Sequence, residues 1–280
     1  MKVKLVASDS MGVRSMATVV ETGDARIFID SATALGPSRY GLPPHPKEID
    51  VLNRTYEGIE ELAEGCDAFV ITHYHYDHYI PEGKFYEGKK VFAKRIDRDI
   101  NKSQKERGKL FADRFGSKSN IIYCDGTEHE IGKTKIKFSP PFPHGPRGTR
   151  LGYVIMVTVE EEEKVVFTSD VQGPVDEKAA EYIIGQEPDI LVTDGPPTYF
   201  LGWKFSMENL KKAEGNMLDI MKNTECRLVL DHHLLRDLKY RERLPVLYGM
   251  YDDRIRTFAE FNGKNNNMLE AKRKELWKGA

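Results

Sequence analysis

Hydrophobic and polar positions along the chain fall into two periods. Residues 67–72, 164–168, 189–193 and 227–231 are short apolar runs rich in β-branched side chains, and they read as buried strands. Lys2 to Ala7 and Glu130 to Phe138 alternate in strand fashion, and 90–93, 121–124 and 151–159 complete the strand set. Residues 17–21 and 25–30 flank Gly23-Asp24, which predicts a hairpin. Helical spacing takes over at 47–64, where Ile49, Leu52, Tyr56, Ile59 and Leu62 recur on one face and Gly65 ends the run. Further helices are expected over 95–115, 177–184 and 206–222, the last with Ser206 as its N-cap. Strands and helices mix with no internal repeat and no flexible linker, so a single α/β domain over residues 1–280 is expected.

Composition narrows this picture. A length of 280 residues, 40% hydrophobic and 31% charged, is enough for a sizeable core in a soluble globular protein. The formal net charge of −2 gives no gross attraction to nucleic acid or membrane, and no apolar run reaches the roughly 18 residues a membrane span needs. Cys66, Cys124 and Cys226 are odd in number and far apart, which argues against a disulfide framework and fits a reducing cytoplasm. Abundant Lys and Glu beside few Cys is a thermophile-like composition.

The chemistry concentrates at one strand end. Three of the eight histidines and one aspartate, His73, His75, Asp77 and His78, fall within six residues directly after the apolar run 67–72. Residues two apart on an extended segment share a side, so His73 and His75 converge on one point while Asp77 and His78 swing to a neighbouring one. Imidazole and carboxylate suit zinc and accommodate iron or manganese. Unpaired buried imidazoles are costly unless something binds them. Four such groups together predict a two-metal site.

The run Thr72-His-Tyr-His-Tyr-Asp-His78 resembles the T-H-x-H-x-D-H signature of the metallo-β-lactamase superfamily of hydrolases. The resemblance covers about residues 1–235. It implies a four-layer αββα sandwich with the metals at one edge, and leaves 236–280 as a charged, helical C-terminal extension. It also suggests an archaeal or thermophile branch. Further ligands are implied in order: His144 after the strand stopped by Ser139-Pro-Pro-Phe-Pro143, Asp170 at the end of Val166-Phe-Thr-Ser, and His232 at the end of Arg227-Leu-Val-Leu-Asp. His129, in the turn-like Glu128-His-Glu130, is the competing candidate for the third histidine, and His233 competes with His232 for the last place. One metal then takes His73, His75 and His144, and the other takes Asp77, His78 and His232, with Asp170 bridging. Asp77 is implied to orient the nucleophile, and His233 is left to act on substrate or as proton donor. Asp30, at the end of the hairpin, is implied to support the ligand loop from behind.

The implied activity is hydrolysis by a hydroxide activated by two divalent ions, zinc foremost. Arg147 and Arg150 lean toward a phosphodiester or other phosphate-containing substrate, a small molecule or nucleotide, unless they are ordinary turn residues. Two other classes share such a fold: an iron-dependent oxidoreductase and a non-catalytic, metal-stabilised binding protein. The basic run Lys94 to Lys118 offers a nucleic-acid face, but interleaved Asp97, Asp99, Glu106 and Asp113 favour a solvated helix. Asp194 has two readings, substrate contact or turn residue. The loop 8–15, with Asp9 and Arg14, either faces the site or is solvated. His45 is a loop residue in the Pro/Gly-rich lid 36–48.

Overall fold

A computed structural model describes residues 1–279. The first sheet contains β1 (Lys2–Ser8), β2 (Met16–Glu21), β3 (Arg26–Ile29), β4 (Ala68–Ile71), β5 (Lys90–Ala93) and β6 (Asn120–Tyr123), paired in that order. β1 to β3 are antiparallel, and β3 to β6 run parallel. The second sheet has β7 (Glu128–Ile131), β8 (Thr134–Phe138), β11 (Val157–Glu160), β12 (Lys164–Phe167), β13 (Ile190–Thr193), β14 (Arg227–Leu230) and β15 (Ile255–Arg256). Its order is β15-β14-β13-β12-β11-β8-β7, parallel from β12 to β15. A small ribbon of β9 (Phe142–Pro143) and β10 (Tyr153–Val154) stands apart.

The apolar runs are continuous because both faces of the sheets are buried. Ile27, Ile29, Val70 and Phe92 pack between the sheets against Val157, Phe167, Val192 and Val229. The alternate residues Phe28, Phe69 and Ile71 face α1 (Pro46–Glu64) and α2 (Lys102–Phe115) through Ile59, Phe111 and Phe115. On the other side, Val166, Leu191 and Leu228 face α3 (Glu177–Gln186) and α4 (Met207–Asn223) through Ile183, Ala213 and Met217. The expected four-layer αββα sandwich is the architecture found. Among the described residues, no helix is long and apolar enough to cross a membrane, and all three cysteines are free and buried.

Several sequence expectations shift. The run 130–138 is a hairpin, not one strand: Gly132, at φ +59°, takes the first position of a two-residue turn between β7 and β8. The run 151–159 divides into β10 and β11. The helix placed at 95–115 begins only at Lys102, where the Asn101 side chain accepts from the Gln104 N–H at 2.8 Å. His45 is more than a loop residue, since it caps α1 in a reciprocal capping box with Glu48.

The segment 236–279 is not simply a charged helical extension. After α5 (Tyr240–Arg243) and α6 (Pro245–Tyr251) it supplies β15. α7 (Phe258–Phe261) then inserts Phe258 into the core between the sheets. The first residue of α8 (Arg273–Lys278) makes a fully buried fork: Arg273 meets Glu48 of α1 through two bonds of 2.8 Å.

Candidate metal centre

Six strands end at one edge of the sandwich, and each delivers polar side chains there. Asp9 follows β1, Asp30 follows β3, and the 72–78 loop follows β4. Ser169 and Asp170 follow β12, Asp194 follows β13, and Asp231, His232 and His233 follow β14. The carboxyl ends of parallel strands are where open α/β sheets collect ligands. Asp30 (φ +49°), Ser169 (φ +58°) and His232 (φ +43°) all adopt left-handed backbone here. Such conformations cost roughly 1–3 kcal/mol each in non-glycine residues and cluster at functional sites.

The other six predicted ligand residues meet around Asp170. His73, His75, His144 and Asp170 form one cluster, and Asp77, His78 and His232 form another. Asp170 Oδ2 lies 3.1 Å from His144 Nε2 and 3.7 Å from His73 Nε2. Its Oδ1 lies 3.3 Å from His78 Nε2 and 3.8 Å from His232 Nε2. Asp77 Oδ2 is 3.7 Å from His232 Nε2. His129 is elsewhere, in β7 against Phe92.

Each of three imidazoles is fixed from behind by a carboxylate. His78 Nδ1 lies 2.7 Å from Asp30, His232 Nδ1 2.9 Å from Asp9, and His233 Nδ1 2.7 Å from Asp194. Asp30 also accepts from the Thr72 N–H at 2.9 Å and from its hydroxyl at 2.6 Å, so it pins the ligand loop. Asp194 is fully buried, which excludes substrate contact; it also accepts from the Gln172 N–H at 2.9 Å. Carboxylates placed in this way set the tautomer that leaves Nε2 pointing into a metal site.

The donor set fits divalent metal. His78 Nε2, both ring nitrogens of His144 and Asp170 Oδ1 are buried without a hydrogen-bond partner. Native interiors rarely leave such groups unpaired unless an ion or water satisfies them. Ligand atoms at roughly 2.0–2.1 Å around a tetrahedral zinc stand about 3.3 Å apart. The separation between His73 Nε2 and His75 Nδ1 is 3.0 Å and that between Asp170 Oδ1 and His232 Nε2 is 3.8 Å, and the ligand atoms of each cluster all lie within 4.8 Å of one another.

The electrostatics agree. Burial pushes the His73 imidazole well down, helped by His78 beside it, and burial with His144 brings His75 to about 3. Both stay neutral and available to coordinate. Burial would also lower His78, but Asp170 and Asp30 outweigh it and raise it well above its ordinary value. The carboxylates therefore hold positive charge at that point. Burial alone would raise Asp77 and Asp170. For Asp77 the neighbouring His78, His232 and Arg236 overcome it; for Asp170, His78, His233 and His232 do. Both carboxyls stay ionised.

Two residues were not assigned to the site from sequence. Arg236, read only as part of a charged helical run, is 3% exposed; its Nε donates to Asp9 at 2.9 Å, and its Nη2 lies 3.7 Å from Asp77 Oδ2. Asp231 is fully buried and accepts from the Ser8 hydroxyl and the Ser10, His232 and Phe258 N–H groups at 2.7–2.9 Å. It ties the final histidines to both the first loop and the C-terminal segment. The clue for Arg236 was its place on the first turn after the His doublet.

The clusters open into a cleft of about 820 Å³. Arg14, Arg107, Arg150, Lys204 and Arg236 line it. Arg14 pairs with Glu270 and Arg236 with Asp9, whereas Arg107, Arg150 and Lys204 have no carboxylate partner among the described residues. Arg147 is different. It binds Asp176, the α3 N-cap, through two bonds of 2.9 and 3.0 Å outside this cleft.

The architecture is that of the metallo-β-lactamase fold. Solved structures with similar folds include the isothiocyanate hydrolase from Delia radicum gut bacteria, at 16% identity and TM-score 0.56, covering 92% of this chain and 96% of that one. A possible metal-dependent hydrolase from Veillonella parvula has 14% identity and TM-score 0.56, covering 88% and 94%. Unliganded yeast PDE1 has 12% identity and TM-score 0.52, covering 91% and 96%. No protein-family model matches the chain. It is 44% identical to the UPF0282 protein of Korarchaeum cryptofilum over 99% of its own length and 94% of that protein's. It is also 42% identical to the UPF0282 protein of Methanocaldococcus jannaschii, over 100% and 97% of the two lengths. The chain belongs to the UPF0282 family, and these relatives are archaeal.

Proposed function

We propose that the chain is a metal-dependent hydrolase acting on a phosphate-containing small molecule or nucleotide, with two divalent ions, zinc foremost. The carrying observation is the convergence of His73, His75 and His144 on one side of Asp170 and of Asp77, His78 and His232 on the other. Orphaned buried donor atoms face inward in both sets. When bound, such a metal pair lowers the pKa of a shared water toward neutrality and neutralises charge on the group under attack.

The chain's own residues supply the rest. Asp77, ionised and partly open to the cleft, accepts a hydrogen bond from the attacking water and orients it. His233 presents Nε2 to the cleft with Nδ1 held by Asp194, so Nε2 can take the proton released by the attacking water and pass it to the leaving oxygen. Unpaired rim cations favour an anionic substrate, and Arg150 rather than Arg147 is the arginine placed to hold it.

Turnover of bis-p-nitrophenyl phosphate by the purified protein tests this reading. Wild-type activity, lost at least about a hundredfold in Asp77→Asn with the melting temperature of the metal-free protein little changed, is expected. A panel of phosphate mono- and diesters left intact by the metal-loaded protein would contradict it.

A further inference from the structure

One wall of the cleft carries aromatic surface that the hydrolytic chemistry does not use. Tyr199 and Phe200 follow β13, with ring centroids 4.1 Å apart at 40°, and Trp203 meets Phe200 edge-on at 5.5 Å. Trp203 is 74% exposed. Lys204 lies 4.2 Å from the Trp203 ring and has no carboxylate partner among the described residues. Phe200 and Tyr199 are half-buried and Phe200 also packs against the core, so the part of this aromatic ledge left in water is mainly Trp203, beside an unpaired cation. It is suited to stack a planar ring whose other end is anionic.

The ledge connects directly to the metal centre. The Tyr199 hydroxyl lies 3.2 Å from Arg236 Nη1, and Arg236 also faces Asp77. Arg107 and Arg150 reach the same cleft from the first sheet's side. Arg107 is held over Tyr76 at 4.3 Å, and Arg150 is anchored by its carbonyl, which accepts from Asn101 at 3.0 Å.

We infer that the cleft is a nucleotide site: a nucleobase stacks at its rim on Phe200 and on Trp203, which stands beside Phe200 just outside the cleft lining, while Arg107 and Arg150 hold the non-bridging phosphate oxygens beside the metal ligands. This rests on the hydrolase reading for the identity of the reacting group, although the ledge and the arginines stand apart from that chemistry. A volume of about 820 Å³ suits one small ligand, and a net charge of −2 gives no track for a polynucleotide.

The test is calorimetric titration of the full-length protein as purified with AMP, ribose 5-phosphate and a short single-stranded oligonucleotide. AMP is expected to bind about tenfold tighter than ribose 5-phosphate, because only AMP carries a base to stack. Phe200→Ala should erase that advantage without changing ribose 5-phosphate binding. Trp203→Ala, at a position too exposed to disturb folding, should reduce it in the same direction. Arg150→Ala should weaken both ligands alike. Equal affinity for AMP and ribose 5-phosphate, no binding of either, or tighter binding of the oligonucleotide than of AMP would each overturn the inference. Base-selective binding in a protein that cleaves no phosphate ester would sink the hydrolase reading alone. Turnover without base preference would sink the ledge alone.

Discussion

Asp30 Oδ2 stands 2.7 Å from His78 Nδ1, although 48 residues separate them in the chain. Parallel pairing of β3 with β4 puts the two strand ends side by side, so a carboxylate leaving one strand meets an imidazole leaving the next. The contact fixes the ring so that Nε2 faces Asp170 at 3.3 Å. Asp30→Asn keeps the shape and removes the charge. Loss of a carboxylate behind a ligating histidine typically costs 10–100-fold in metal affinity. We expect a fall of about that size for zinc, measured by competition with a chromophoric chelator, with thermal stability of the metal-free protein little changed.

The Arg273–Glu48 fork couples the last helix to α1, and both side chains are fully buried. Glu48 also accepts from the His45 N–H at 2.8 Å, closing the α1 capping box. Arg273→Ala leaves that carboxylate buried without its partner. The expected loss is about 3–5 kcal/mol in urea unfolding. Arg273→Lys should recover only part of it, because an ammonium cannot reproduce the two-pronged geometry.

Glu270 gives the fold a defined acid sensitivity. Burial would raise its carboxyl above the ordinary 4.5, but the paired bonds from Arg14, at 2.6 Å each, outweigh burial and hold it at about 2. A carboxyl depressed on folding contributes stability that is complete above its unfolded value and lost as pH falls through the folded one. This contribution, on the order of 3 kcal/mol, therefore disappears between about pH 4.5 and about pH 2. Melting temperatures across that window should fall more steeply for wild type than for Glu270→Gln. The variant starts lower and has no such carboxylate left to protonate. Parallel curves would contradict the assignment.

The ligand loop was legible because its chemistry is contiguous: His73 to His78 occupy a single strand end. His144, Asp170 and His232 were placed, and the four layers expected, through the superfamily resemblance; strand and helix periodicity alone marked the elements whose ends they occupy. What could not be read depends on tertiary approach. Asp9 supports His232 across 223 positions, and no local pattern marks that pairing. Arg147 and Arg150 look alike in sequence, yet Asp176 claims one and leaves the other at the cleft. The C-terminal segment looked charged and helical because its buried residues, from Tyr240, Leu244 and Leu247 to Phe258 and Leu269, are interleaved with charged ones and divided among several very short elements.

The central claim, that Asp170 and the six side chains around it hold a pair of divalent ions, is tested most directly by elemental analysis. The protein should be prepared without added metal and compared with Asp170→Asn and His78→Ala. The account predicts about two ions per wild-type chain, zinc foremost. His78→Ala should retain about one, on the His73, His75 and His144 side, and Asp170→Asn should hold its ions more weakly on both sides. A wild-type chain that binds no divalent ion, or one whose content is unchanged in both variants, would contradict the account.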